Sequence, residues 1–291
     1  MPSILITGAA GQLGKELAAS QQHYPDLQGL FATKEALDIT HPTQLHDYLE
    51  RHPVDYIVNC AAYTHVDQAE TDPAKAFTVN ATGPAYLGAL ASKLGCKLFH
   101  ISTDYVFGGG LPQPLEETMP TQPATYYGQS KLAGEKKLLA NHREAYIIRT
   151  SWLYSTLGNN FFKKMIAWGK TKQAVSVVYN QVGSPTYAKD LALVIWEMIR
   201  KVAHTTTYPP GIYHYANEGV ASWYDFAAAI MEYAKLDCKV VPILSKDFPT
   251  LAPRPAYSVL SKEKIKKKFH INIPHWRESL QHCIRHVKLV L

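Results

Sequence analysis

The sequence predicts an α/β protein: a doubly wound parallel sheet of the Rossmann type, with a smaller α/β lobe attached. Three observations carry this reading. Over the first half of the 291 residues, short β-branched runs alternate with helical patterns, as in βαβ units whose crossover helices cover both faces of a parallel sheet. A glycine-rich turn, Gly8-Ala9-Ala10-Gly11-Gln12-Leu13-Gly14, stands between the first strand and the first helix. Beyond Ser151 the alternation loosens, and prolines and turn residues gather at 208–211 and 248–255.

Taken in order, residues 3–6 read as the first strand and 12–22 as the first helix. Residues 27–32 form a second strand, and 42–52 a helix capped by Thr40 or His41. Strand 56–59 precedes a long helix that starts at Asp72-Pro73 and runs to about Leu94, with Asp as the N-cap and Pro at the first helical position. Strand 97–102, helix 126–141 and strand 145–150 follow. In the second half, strands are expected at 175–179, 211–215 and 239–244. Residues 1–151 are assigned to the sheet domain and 152–291 mainly to the lobe, with a segment at about 175–202 returning to the sheet.

Composition narrows the class. The formal charge of +6 favours anionic small molecules without calling for nucleic acid. The basic run 262–268 alternates with Ile265 and Phe269 at helical spacing, so it reads as the solvated face of a helix. No stretch approaches the roughly 18 apolar residues that span a bilayer. The N-terminus enters an apolar strand directly, with no signal-peptide pattern. Cys60, Cys96, Cys238 and Cys283 lie far apart and form no zinc-type pair, so free thiols in the cytoplasm are expected and no metal site.

The glycine turn has the spacing GxxGxxG. One glycine makes the tight turn, one lets backbone approach a pyrophosphate, and one lets helix and strand pack closely. The pyrophosphate then rests on the helix N-terminus, where backbone amides are free. This makes Gly8, Gly11, Gln12, Leu13 and Gly14 candidate dinucleotide contacts. The second strand ends Ala32-Thr33-Lys34 with no carboxylate before Glu35. A hydroxyl and a cation suit a 2′-phosphate better than a free ribose hydroxyl, so Thr33 and Lys34 favour NADPH, with NADH the alternative. Asp38-Ile39 is placed near the adenine.

Tyr127 and Lys131 form the only YxxxK in the chain, which puts both side chains on one helical face. With eighteen tyrosines, chance alone supplies roughly one such motif, so position decides. The helix follows the strand ending Ser102-Thr103, at the carboxyl edge of the sheet where ligands of such folds bind. A lysine ammonium beside the phenol is expected to lower its pKa from about 10. Thr103 would supply a second hydroxyl to the same carbonyl oxygen.

Together these residues resemble the extended short-chain dehydrogenase/reductases, and most sharply the dTDP-4-dehydrorhamnose reductase family. The likeness runs through Leu37-Asp38-Ile39-Thr40, Asn59-Cys60-Ala61-Ala62-Tyr63-Thr64-His65-Val66-Asp67, Val79-Asn80, Ser102-Thr103-Asp104-Tyr105-Val106-Phe107, Tyr127 to Glu135, Arg149 to Tyr154, Gln181 to Thr186, Ser222 to Phe226 and Arg254-Pro255. The resemblance implies reduction of the C4 ketone of dTDP-4-dehydro-L-rhamnose, with the lobe binding the substrate. Tyr127 would be the proton donor, Lys131 would tune it and hold the nicotinamide ribose, and Thr103 would bind the C4 oxygen. Ala61, Ala62, Tyr63 and Asn80 would line the cofactor. Thr64, Val66, Asp104, Tyr105 and Trp152 would face the hexose, and Arg254 would pair with the nucleotide diphosphate.

The sequence departs from the family at Gly108-Gly109-Gly110, where Asp-Gly is usual, and at Lys189. There some relatives carry one of the carboxylates that, with the counterpart of Glu16, bridge a dimer through magnesium. A homodimer remains open, but not a metal-bridged one. The rivals are other sugar-nucleotide reductases and epimerases, and a regulatory subunit like the methionine adenosyltransferase β subunit. A dehydratase lacks support, because Tyr105 stands where the second carboxylate of its acid–base pair belongs.

Overall fold

The computed structural model describes residues 1–109, 112–205 and 207–288. Its first half contains β1 (Ser3–Thr7), α1 (Gln12–Ser20), β2 (Gln28–Ala32), α2 (Pro42–Arg51) and β3 (Tyr56–Asn59). Next come α3 (Val66–Thr71), α4 (Pro73–Phe77), α5 (Gly83–Leu94), β4 (Lys97–Thr103), α6 (Tyr126–Asn141) and β5 (Tyr146–Thr150). The second half adds β6 (Leu153–Tyr154), α7 (Phe161–Thr171), β7 (Ala174–Val178), β8 (Val182–Gly183), β9 (Thr186–Tyr187) and α8 (Ala188–His204). It ends with β10 (Gly211–Tyr215), β11 (Ala221–Ser222), α9 (Trp223–Ala234), β12 (Lys239–Ile243), α10 (Glu263–Phe269) and α11 (Trp276–Lys288).

Six strands form one sheet in the order β10-β5-β4-β3-β1-β2, and every pairing in it is parallel. Alternate residues of a strand face opposite sides. Ile4 and Ile6 accordingly join a core with α1, α8 and α10, while Leu5 joins one with α2, α5 and α6. The chain leaves β1 for β2 on one side and returns to β3 on the other. This reversal opens a crevice at the carboxyl ends of β1 and β3, where such folds bind ligands.

One expectation needs correction and two gain detail. Residues 175–202 do not rejoin the main sheet as a strand: β7 pairs with β12 in a separate sheet, and the added strand is β10 on β5. Helix α8 does return, burying Leu191, Ile195 and Ile199 on the sheet core with the Trp196 indole N–H donating to Leu17 O at 3.2 Å. The long helix from Asp72 does run to Leu94, with one irregular turn inside it. Asp72 caps α4 by accepting from Lys75 N at 3.1 Å, but Thr78–Thr82 forms a π-helical turn before α5. Pro84 has no N–H to offer the Asn80 carbonyl, and Gly134 packs against that carbonyl. Finally, His41, one of the two expected caps, takes the N-cap position of α2 but makes no side-chain cap bond, and the Thr40 hydroxyl donates to Asp38 at 2.7 Å.

The lobe has its own core, built around Phe162, Met165, Phe226, Ile230 and Trp276. Helix α10 buries Ile265 and Phe269, and its lysines pair with Glu218 and Glu263, as a solvated face does. All four cysteines are free thiols. Among the described residues, no helix is long and apolar enough to cross a membrane.

Candidate active site

The glycine turn makes a backbone cradle at the β1 end. Gly8 sits at φ 66°, and a Cβ there would lie 2.6 Å from Ala61 N. A Cβ on Gly14 would lie 2.6 Å from Ala9 Cα, so helix and turn touch through bare backbone. Gly11 begins α1 with no side-chain cap, and the first turn carries no acid. Its amides are open to an anion, which is what a dinucleotide pyrophosphate needs. Leu13 offers only its amide, because its side chain is in the core. The Gln12 side chain accepts from Asn160 Nδ2 of the lobe at 2.6 Å.

A cavity of about 360 Å³ runs from this cradle along the β3 end. Of the residues assigned to the cofactor, Gly8, Gly11, Lys34, Asp38, Ile39, Ala61, Ala62 and Tyr63 line it. Thr64, assigned to the hexose, lines it too, and so do Leu37, Cys60, His65, Lys75 and Val79, which sequence reasoning missed. Apolar residues against a flat ring leave no motif, so most of these carried no signal. Lys75 did, as a cation in the first turn after the Asp72 cap.

Asn80 does not line the cavity. It is fully buried, accepts from Tyr63 N at 2.8 Å and donates to Tyr63 O at 2.9 Å and Ser130 Oγ at 3.0 Å. It thus positions the wall that Tyr63 belongs to.

At the β2 end, Lys34 is 73% exposed and 3.7 Å from Asp38 Oδ2. Burial works to raise the Asp38 carboxyl, but the two Thr40 hydrogen bonds and Lys34 outweigh it, and the group sits below its ordinary value. The Thr33 hydroxyl bonds the Glu35 carboxylate.

The β4 end carries the polar cluster. Thr125 caps α6 by accepting from Gly128 N at 3.0 Å, and Glu70 accepts from Tyr126 N at 2.9 Å. Gly128 lies against the Tyr105 carbonyl, closer than any Cβ allows. The first turn of α6 therefore presses on the segment after β4, and the Tyr127 and Tyr105 rings meet edge to face at 5.4 Å. Burial pushes the Tyr127 phenol above its ordinary pKa; Thr103 opposes the shift by hydrogen bonding, and Asp104 and Tyr105 add to it.

This corrects the expectation that Lys131 lowers the phenol. Lys131 Nζ instead donates to Ile101 O at 2.7 Å and lies 3.4 Å from His100 Nε2. Burial brings it down to about 8, with Glu135 pulling the other way. Beneath it, Asn59 meets His100 Nδ1 at 3.0 Å and accepts from Thr7 Oγ1 at 2.7 Å.

Thr103 Oγ1 donates to Asp104 Oδ1 at 3.0 Å, leaving the buried Asp104 Oδ2 without a partner. Burial raises this carboxyl to about 6, against the pull of the Thr103 and Ser258 hydroxyls. Val66 opens α3. Trp152, at φ 48°, stacks on Trp223 with ring centroids 3.6 Å apart. Arg254 is not free: its Nη2 is 2.5 Å from Asp67 Oδ2, and its Nη1 is 3.3 Å from the Tyr105 hydroxyl. Beside it lies a second cavity of about 170 Å³, between Tyr105, Thr125 and Pro255. Gly109, at φ 72°, packs on Pro255; Gly110 lies outside the described residues. Glu16 is buried on the Ser155 hydroxyl, and Lys189 Nζ is 3.3 Å from His286 Nε2.

A glycine cradle at the sheet's switch point, with a threonine, a tyrosine and a lysine beside it, defines an NAD(P)H-dependent oxidoreductase of the extended short-chain dehydrogenase/reductase class. Comparison with known proteins carries this further. The chain belongs to the family described as "RmlD substrate binding domain", whose model matches residues 1–289. It is 39% identical to the spore coat polysaccharide biosynthesis protein SpsK of Bacillus subtilis, over 98% of each chain. It is 38% identical to the dTDP-4-dehydrorhamnose reductase of Aggregatibacter actinomycetemcomitans, over 97% of this chain and 98% of that one. Its fold matches the crystal structure of dTDP-4-dehydrorhamnose reductase from Bacillus anthracis in complex with NADP, with a TM-score of 0.90 and 38% identity over 98% and 99% of the two chains.

Proposed function

We propose that the protein reduces the C4 ketone of dTDP-4-dehydro-L-rhamnose to dTDP-L-rhamnose, using NADPH. The convergence of the Tyr127 phenol and the Thr103 hydroxyl at the open end of the sheet, beside the glycine cradle, carries this reading. Relatives named for the same reaction support it.

When bound, the dihydronicotinamide supplies a hydride to C4. Tyr127 stands protonated, since its raised pKa keeps the phenol neutral, and it gives its proton to the C4 oxygen. The C4 oxygen becomes a strongly basic alkoxide as hydride arrives and draws the proton from the phenol, so reduction does not require the phenol pKa to be lowered. Thr103 turns its one hydroxyl proton from Asp104 to that oxygen and donates a second hydrogen bond where the charge develops. Lys131, held by the Ile101 carbonyl, puts a positive charge under the nicotinamide ribose. Asp104 and Trp152 position the hexose, and Val66 and Tyr105 complete its wall. Arg254 exchanges its Asp67 partner for the diphosphate of the substrate.

Lys34 at the ribose end supports NADPH over NADH, because the nearby Asp38 carboxylate is already engaged with Thr40 and an exposed cation suits a 2′-phosphate. The NADP complex of the Bacillus anthracis relative agrees with this. The test is spectrophotometric. Purified protein is offered NADPH with enzymatically generated dTDP-4-dehydro-L-rhamnose, and NADPH absorbance should fall in step with dTDP-L-rhamnose formation. No consumption on this ketone, or equal consumption on unrelated keto-sugar nucleotides, refutes the assignment.

A further inference from the structure

Where β5 ends and the chain crosses toward the lobe, Trp152 adopts φ 48°. That left-handed conformation is unfavourable for a bulky side chain and persists only where its surroundings impose it. The surroundings here are specific. The Trp152 carbonyl accepts from Thr186 N at 3.2 Å, and the indole lies on Trp223 with planes 6° apart. A pair left to itself prefers an offset or edge-to-face arrangement, so neighbours fix this face-to-face stack. A Cβ on Gly183 would fall 2.6 Å from Trp152 Cε2 and 2.8 Å from its Nε1, so only glycine leaves room for the ring.

Gly183 and Trp223 are held relative to each other. Strands β8 and β11 pair antiparallel, Gly183 opposite Ala221 and Val182 opposite Ser222. Ser222 then caps α9 reciprocally with Asp225, which makes Trp223 the first residue of a rigid helix. Phe161 supports Trp223 with ring centroids 4.7 Å apart. The same notional Gly183 Cβ lies 2.8 Å from Ser258 Oγ, a hydroxyl that faces Asp104 and favours its charged form. The brace therefore abuts the buried carboxylate beside Thr103.

We propose that Trp223 is a positioning residue for the sugar: with Gly183 it holds the Trp152 indole in the one orientation from which that ring faces the hexose. This rests on the reading that Trp152 lines the hexose site. Trp223 itself touches no reacting atom, so its effect falls on sugar recognition and leaves the cofactor end of the site unchanged.

The test compares Trp223→Ala, Trp223→Phe and Trp152→Ala in steady-state kinetics with dTDP-4-dehydro-L-rhamnose and NADPH, alongside far-ultraviolet circular dichroism. Trp152 and Trp223 form the only indole–indole stack among the described residues, so an exciton couplet in the wild-type spectrum belongs to them. Trp223→Ala is expected to lose the couplet and raise the KM for the sugar nucleotide roughly fivefold to tenfold, the worth of one well-placed aromatic contact. The KM for NADPH should stay unchanged, and Trp223→Phe should recover most of the sugar KM without the couplet. Trp223→Leu takes the place of Trp223→Ala if the latter does not fold, with the same expectations. An unchanged sugar KM in Trp223→Ala while Trp152→Ala raises it overturns the brace. No change in either variant overturns the hexose role of Trp152 beneath it. Equal losses for sugar and cofactor, or no couplet in the wild type, also overturn the proposal.

Discussion

Lys131 and Tyr127 share one face of α6, yet the Lys131 ammonium reaches past the phenol to the Ile101 carbonyl at 2.7 Å. The lysine is thereby fixed to the end of β4 as a buried charge, which it keeps only below about pH 8. Asp104, raised to about 6 by burial, is ionised only above that. The two limits frame the activity. We expect kcat/KM for ketone reduction to be bell-shaped, falling below about pH 6 as Asp104 takes up a proton and above about pH 8 as Lys131 loses one. Asp104→Asn should remove the acid limb and Lys131→Arg the alkaline one. A profile still flat two units beyond either limit shows that the group assigned to it is not essential.

Tyr127→Phe removes the proton donor and little else, since the ring's edge-to-face contact with Tyr105 survives. Turnover should fall roughly 10²–10⁴-fold, the usual worth of a positioned general acid, while NADPH affinity measured by fluorescence titration stays near normal. Near-normal turnover in this variant is incompatible with the proton-donor role.

Much of this site was legible in sequence because its parts obey local rules. The glycine turn follows from what backbone must do beside a pyrophosphate, and the Tyr127–Lys131 spacing follows from helical geometry. What escaped depends on burial and on long-range contact. Nothing in YxxxK says that Lys131 will find a carbonyl on β4, or that desolvation will raise the phenol. Asn80 was assigned to the cofactor through the resemblance, and no motif announces that its amide reaches Tyr63 and Ser130. In the second half of the chain, β10 was found by its pattern, whereas its place beside β5 in the main sheet is a tertiary fact that periodicity does not contain.

Lys34 projects from the end of β2 with its Asp38 contact at 3.7 Å and most of its length in solvent. An exposed cation adds modestly to binding, so Lys34→Ala should raise the KM for NADPH roughly threefold to tenfold, as loss of one charge-assisted phosphate contact does. The KM for NADH should hardly move. Parallel shifts for the two cofactors would remove the 2′-phosphate from the argument.

Asp67 bridges the two halves of the molecule, accepting from Ala252 N at 3.1 Å and pairing with Arg254 at 2.5 Å. A substrate diphosphate must compete with this carboxylate for the guanidinium. Arg254→Ala should therefore raise the KM for the sugar nucleotide roughly tenfold or more, the worth of a bidentate charge-assisted contact. Asp67→Asn should lower it or leave it unchanged, because the competitor is gone. A rise of similar size in both variants would mean that the pair works as a unit to shape the loop, and that Arg254 is not released to the substrate.

Glu135 lies two turns beyond Tyr127 on the same helix and pairs with Arg149 of β5 through Nε at 2.9 Å and Nη2 at 2.7 Å, with both side chains 2% exposed. Ser102 donates to the same carboxylate at 2.5 Å, so α6, β4 and β5 meet on one buried anion beneath the catalytic cluster. Such a pair contributes little over an apolar replacement, but removing one partner strands the other charge in the core. Glu135→Gln keeps the shape and one accepting oxygen but deletes the charge, leaving the Arg149 guanidinium with His214 at 3.5 Å, the Phe107 ring at 5.1 Å and the field of Glu117. We expect it to cost about 3–5 kcal/mol in urea unfolding. The double variant Glu135→Leu with Arg149→Met should recover much of that loss, because it buries no unpaired charge. If Glu135→Gln unfolds at the wild-type urea concentration, water or another group is already neutralising Arg149, and the anion is not what joins the three elements.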